Sequence, residues 1–274
     1  MKPATDKPTP SKALITALGV VLCFATPSCG KVADAGQKLP SAPLTVAVEI
    51  AEKTSISGHI SLKGIEPVKL AKIVDVGGNP FCTGHGEIAD PTWKTAPDGS
   101  LADVVVTVSK SGRASNVPAA APLIDQTHCA FVPHTLSIQP GQDVRFHNSD
   151  LTFHNIRVVR HQPGTRAGGE NLANLAQASR GEENVLNFSV PGVYRLECDV
   201  HRWMKAWIVV HEGIHSSVSD AAGQYQFNRA LPDGTYTVQA WHPQFSAPLT
   251  QTVTVAGGTA RADFTFDHAE AFQL

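Results

Sequence analysis

From residue 56 onward, hydrophobic and polar positions mostly alternate in twos. Residues 56–63 read Ile-Ser-Gly-His-Ile-Ser-Leu-Lys, which predicts a strand with one buried face. Residues 102–108, Ala-Asp-Val-Val-Val-Thr-Val, predict a strand whose centre is buried on both faces. Residues 135–138 and 143–147 read as a hairpin around Pro140-Gly141, followed by a strand over 153–159. Three more runs, at 185–190, 192–197 and 205–211, close this group. Past Gly213 come 218–227 and 231–242, then a long hairpin over 249–266 that turns at Gly257-Gly258. Residues 70–76 form another apolar run. Residues 77–99 are loop by composition, with Pro80, Pro91 and Pro97. The stretch 160–183 is rich in Gly and polar residues, and a short helix is predicted around 171–178. The pattern as a whole is all-β.

Composition narrows this picture little. The 274 residues are 42% hydrophobic and 17% charged, which suits two modest folded domains and argues against global disorder. A net charge of −2 gives no electrostatic reason to expect nucleic acid or an acidic membrane as partner. The N-terminus changes the picture more. Lys2, Lys7 and Lys12 precede an apolar run over 13–25 that is too short to span a bilayer, the pattern of an export signal. Two processing readings compete. Cleavage after Ala33-Asp-Ala35 gives a soluble periplasmic protein, whereas Ser28-Cys29-Gly30 resembles a degraded lipoprotein box with a lipid anchor at Cys29. Thr26 and Pro27 suit that box poorly, so the soluble form is preferred. Residues 1–35 are then signal and cleavage region, and 36–55 a linker.

The chemistry concentrates in residues 196–205, Leu-Glu-Cys-Asp-Val-His-Arg-Trp-Met-Lys. Cys198, His201 and Met204 stand at Cys-x2-His-x2-Met spacing. A thiolate, an imidazole and a thioether in one short loop suit copper, whose blue electron-transfer sites use two His, one Cys and a weak axial Met. Zinc gains little from a thioether. The loop therefore predicts a second histidine on a neighbouring strand, and the His154-Asn155 pair supplies it. Of five cysteines, Cys23 lies in the signal and Cys29 is removed or lipidated. With Cys198 committed to metal, Cys82 and Cys129 are left to pair in an oxidising compartment. His85, beside Cys82, reads as a loop histidine. His147, His161, His211, His215 and His242 read as surface or core residues.

The region from Cys129 to His211 resembles a cupredoxin, the single-domain blue-copper fold. The resemblance rests on Phe131-Val-Pro133, Leu136-Ser-Ile138, Gly141, Asn148-Ser-Asp150, His154-Asn155, Pro191-Gly-Val-Tyr194 and the short, amicyanin-like Cys loop. One departure is Arg202, where such loops usually carry Pro. The resemblance implies one type 1 copper bound by His154, Cys198, His201 and Met204, and a Greek-key β-sandwich over 115–212. It also implies that Asn155 ties the His154 strand to the Cys198 loop and that the edge of His201 reaches the surface. Arg202 and Trp203 would then rim the docking site for a redox partner.

Residues 213–268 resemble the carboxypeptidase regulatory-like module, a smaller transthyretin-like sandwich, through the turn Leu231-Pro-Asp-Gly-Thr-Tyr236. This piece is short of a self-sufficient core. The expectation is that 56–114 contributes the missing strands, with the cupredoxin inserted between them; a sequential arrangement is the alternative. Function is then read as one-electron transport between periplasmic redox proteins. An enzyme is not expected, because substrate turnover calls for further copper held by clustered histidines and the chain has no His-x-His pair. A non-redox copper store or an adhesion sandwich is the remaining alternative.

Overall fold

The computed structural model describes residues 55–110, 120–227, 229 and 231–272. The export leader, Cys29 and both processing sites lie outside the described residues. The chain starts on β1 (Ser55–Lys63). Its alternation buries Ile56, Ile60 and Leu62 on one side. Gly58 stands on this strand because a Cβ there would lie 1.8 Å from the carbonyl oxygen of Ala262. After β1 the chain leaves its sheet for a long irregular excursion, broken by the four-residue α1 (Pro80–Thr83). It returns on β2 (Val105–Ser109), whose Val105, Val106 and Val108 are buried.

The next nine strands form a sandwich of their own. They are β3 (Leu123–Thr127), β4 (Ala130–Val132), β5 (Thr135–Ile138), β6 (Gln142–Asn148), β7 (His154–His161), β8 (Gly169–Gln177), β9 (Glu183–Phe188), β10 (Gly192–Glu197) and β11 (Lys205–Val210). One sheet runs β4-β3-β6-β9 and the other β5-β11-β10-β7-β8. Ile124, Val144 and Phe146 from the first sheet meet Ile156, Leu196 and Ile208 from the second in one core, all fully buried. Each sheet holds one parallel pair, β5 with β11 and β3 with β6, and the alternation of inward apolar and outward polar residues is what two packed layers require.

The chain then completes the other sandwich with β12 (His215–Val218), β13 (Gln224–Gln226), β14 (Gly234–Trp241), β15 (Leu249–Val255), β16 (Thr259–Arg261) and β17 (Phe264–Asp267). Its sheets are β13-β1-β16, with β17 also on β1, and β12-β2-β14-β15. β1 therefore hydrogen-bonds to three C-terminal strands, and β2 lies between two more. Tyr236, Phe227, Phe264 and Phe266 fill this second core. Both sandwiches use the same fastening, a tyrosine hydroxyl that donates to the carbonyl four residues upstream. Tyr194 reaches Val190 at 2.7 Å, and Tyr236 reaches Pro232 at 2.6 Å.

Three local expectations are corrected. Residues 171–178 are not helical: 171–177 belong to β8, an edge strand laddered to β7. Leu172 and Leu175 sit at helical spacing, but the ladder satisfies the backbone and overrides that signal. Of the two expected hairpins, the first does not form and the second is reduced to a single antiparallel bridge, Ala256 to Thr259, around Gly257-Gly258. β5 pairs with β11 while β6 pairs with β3 and β9, so Pro140-Gly141 carries the chain from one sheet to the other. Likewise β15 stays with β14, whereas β16 and β17 cross to β1 after Gly257-Gly258. Alternation reports which face of a strand is buried. It does not report the partner strand.

Candidate metal centre

The loop between β10 and β11 is held by its own backbone. The pairing of Glu197 with Lys205 sets its base, the Cys198 amide donates to the Met204 carbonyl at 3.2 Å, and the Met204 amide donates to the His201 carbonyl at 2.8 Å. This tight closure turns Cys198, His201 and Met204 inward, with at most 2% of each exposed. β7 brings His154, fully buried, against the same point. His201 Nδ1 lies 2.9 Å from His154 Nδ1, and Cys198 Sγ lies 3.7 Å and 4.0 Å from the two nitrogens. A metal bonded at about 2.0–2.1 Å to nitrogen and about 2.3 Å to sulfur in a trigonal plane sets donor–donor edges of roughly 3.5–3.8 Å. The two nitrogens stand closer together than that and the sulfur slightly farther from one of them, so the three donors converge on one point and need only small shifts to hold an ion. Met204 packs in the same buried cluster as Cys198.

Two neighbours fix the donors. Asp150 Oδ2 accepts from His154 Nε2 at 2.9 Å, and its two oxygens also accept the amides of His128 and Cys129 at 2.8 and 2.9 Å. An ionised carboxylate only accepts, so Nε2 of His154 carries a proton toward Asp150, which turns Nδ1 toward Cys198 and His201. Burial pushes the His154 pKa down, but the bonds to Asp150 and Cys198 outweigh it and the net direction is up. Asn155 forms the tie between β7 and the loop. Its Oδ1 accepts the Asp199 amide at 2.7 Å and lies 3.4 Å from Cys198 Sγ, while its Nδ2 donates to Asp199 at 3.0 Å. Burial pushes the Cys198 thiol up, but hydrogen bonds from His154 and His201 prevail and bring it to about 6. A thiolate, the form that binds metal, is thereby favoured near neutrality.

The excursion between β1 and β2 closes over this end of the sandwich. Cys82 on α1 is disulfide-bonded to Cys129. Val76, Phe81 and Ile88 pack against the metal-end core, while Leu70 and Trp93 pack into the other sandwich. Asn79, the residue capping α1, places its Nδ2 3.0 Å from His201 Nε2. As a result His201 is 1% exposed, and the expected surface edge of this histidine is covered. Of the two residues expected at the rim, Arg202 is exposed and Trp203 half-buried. Trp203 Nε1 donates to the Cys129 carbonyl at 3.0 Å, and its ring lies 5.1 Å from that of His201.

Sequence reasoning did not find Asp150 or Asn79 as parts of the centre. Asp150 was visible only as the end of an Asn-x-Asp turn. Asn79 carried just a local signal, an Asn before Pro at the start of a helical turn. A second donor group, Cys129 with Asp150 and His154, also lies close together, but Cys129 is consumed by the disulfide. His85 rests edge-on between Phe81 and His128, each at 4.7 Å.

Residues 120–211 match the family described as copper binding proteins, plastocyanin/azurin family. Solved structures with a related chain course include amicyanin from Paracoccus versutus, at 18% identity over 39% of this chain and 97% of that one, with a TM-score of 0.29. A purple cupredoxin from Nitrosopumilus maritimus matches at 24% identity over 34% of this chain and 100% of its own, with a TM-score of 0.27. The copper-containing nitrite reductase of Thermus scotoductus matches at 24% identity over 38% of this chain, which spans 25% of that enzyme, with a TM-score of 0.29.

Proposed function

We propose that this is an exported type 1 copper protein that carries single electrons between periplasmic redox partners. The observation that supports it most is the buried His154–Cys198–His201 trio in a loop closed on itself. The chemistry supplied by a bound copper ion is reversible one-electron exchange. The chain's own part is to keep the donors still. Asp150 and Asn155 orient His154 and the loop, and Met204, which would be the fourth donor, is fixed between two backbone hydrogen bonds. A rigid set of donors changes little between oxidation states, which is what rapid electron exchange requires.

In this reading Arg202 and Trp203 form the partner-docking rim, as small transient encounters favour an aromatic with a charge beside it. No substrate turnover is assigned, because the reading rests on a single copper site. The second sandwich is read as a carboxypeptidase regulatory-like module on its Leu231–Tyr236 turn, split by the inserted copper domain. A second reading, a non-redox copper store, draws on the covered His201, since burial of that edge removes the ordinary route for electrons. One spectrum separates the two. An intense visible thiolate-to-copper band in the copper-loaded protein, lost in Cys198→Ser and bleached reversibly by reductant, is the expected result. A colourless cuprous protein that resists oxidation refutes the carrier.

A further inference from the structure

The excursion between β1 and β2 does more than cover the metal loop. Between it and β4 lies a cavity of about 900 Å³ with a mostly apolar lining. Small side chains leave the room: Ala71, Ala89 and Ala96 of the excursion and Ala130 of β4 all line it. Ile73 and Val132 line it too, and they are 56% and 49% exposed. Large aliphatic side chains left in contact with water and gathered in one concavity mark a binding site rather than scattered surface. The volume and the apolar walls suit a small organic molecule. One wall includes Trp203, whose indole is held in place because its Nε1 donates to the Cys129 carbonyl at 3.0 Å.

The charges around this cavity are unevenly satisfied. Asp103 Oδ2 accepts from Lys94 Nζ at 2.8 Å and from His134 Nδ1 at 3.0 Å, so these three are matched within the wall. His134, Trp203 and Lys205 also line a second, more polar chamber of about 390 Å³, together with Arg202. There Glu197 is taken up by Arg195 at 2.7 Å and by Arg157, and Asp90 accepts the Thr92 amide at 2.9 Å. Arg202 and Lys205 are exposed, and among the described residues no carboxylate lies within ion-pair distance of either. An apolar cavity with unmatched cations at its junction complements a molecule with an apolar body and an anionic end. We propose that it binds a small aromatic acid, with the ring system between the excursion and β4 beside Trp203 and the anionic group at Arg202 and Lys205. A fixed indole in the wall favours a flat, rigid body over a flexible chain, which would lose more rotamer freedom on binding. The guanidinium of Arg202 suits a carboxylate in shape as well as charge. The inference uses no metal and stands apart from the copper reading.

The test uses the whole protein with its disulfide intact, treated with chelator so that no paramagnetic ion broadens the signals. The probe is 2-naphthoate. Its amide, 2-naphthamide, offers the same body without the charge, and octanoate offers the same charge on a flexible chain. Binding is measured by calorimetry and located by NMR. Naphthoate should fill one saturable site and shift the Trp203 indole N–H and the methyl groups of Ala89 and Ala130. It should bind about tenfold more tightly than either comparison compound. Arg202→Gln combined with Lys205→Gln should weaken naphthoate about tenfold and leave the amide unchanged. Ala89→Phe fills the cavity and should abolish binding of both aromatic probes in a chain whose other amide signals match the parent. Naphthoate held no more tightly than its amide overturns the acid, and octanoate bound more tightly than naphthoate overturns the aromatic body. No binding, or shifts that spare Trp203, Ala89 and Ala130, overturns the site itself.

Discussion

Replacing Asp150 tests the claim that a carboxylate, rather than the metal loop alone, sets the histidine on β7. Asp150 is 3% exposed and accepts from three donors: the amides of His128 and Cys129 and the ring of His154. Burial pushes its pKa up, yet the bonds from His154 and the two amides outweigh this and hold it below the ordinary carboxylate value. Asp150→Asn keeps the shape but has one oxygen where there were two. If that oxygen stays with the backbone amides, the new –NH2 faces His154 Nε2, which must accept, and the ring proton moves to the nitrogen facing Cys198. A lost charge-assisted bond is worth ~1.5–3 kcal/mol, which at ~1.4 kcal/mol per decade is roughly a 10–100-fold change. The outer partner of a ligating histidine is worth the same 10–100-fold in metal affinity. Asp150→Asn should therefore weaken copper binding by about that factor, measured by competition with a chelator. Asp150→Ala leaves the buried Cys129 amide and the part-buried His128 amide without their acceptor and should in addition lower the unfolding free energy by roughly 2–4 kcal/mol in urea. An Asn variant that binds copper as tightly as the parent, with the same visible band, refutes the reasoning.

Other expectations follow from the same geometry. The Cys82–Cys129 bridge spans 47 residues, so replacing both cysteines with Ser should cost about 4 kcal/mol in urea unfolding. Unchanged stability would mean that the excursion is held by packing alone. His242 and His211 are buried, and burial lowers their pKa values to about 3 and about 4. Their folded values lie below the unfolded ~6.5, so the unfolded chain binds more protons between these limits. No penalty is expected above pH 6.5; stability should fall as pH drops from ~6.5 toward ~4, and His242→Phe should flatten that slope by about one proton. A slope left unaltered in His242→Phe would show that this histidine titrates normally. A fragment of residues 213–274 should not fold, because β1 and β2 sit inside its two sheets; dispersed amide resonances from that fragment would contradict this.

The sequence by itself determined what is local. Cys198, His201 and Met204 are legible as a set because one seven-residue loop carries all three, and a loop that short leaves its donors few places to point. The strands are legible because burial on one face writes a period of two into the residues, as in Ile56, Ile60 and Leu62 on β1. Some long-range relations were also legible, namely the Cys82–Cys129 pair, His154 beside the Cys198 loop and the sharing of β1 and β2 with the C-terminal strands, but which strand pairs with which was settled only by the tertiary structure. The same alternation serves a hairpin and a crossing between sheets, so Pro140-Gly141 and Gly257-Gly258 could not announce that they change sheets. Asp150 needed the fold of the β6–β7 turn before its carboxylate could be seen at His154. Asn79 stands 122 residues before His201, and nothing periodic or compositional links the two. Their contact exists because the chain leaves β1, is pinned by Cys82 to the far sandwich, and returns to β2. That long-range path, rather than any property of the ligand loop, decides that His201 is buried.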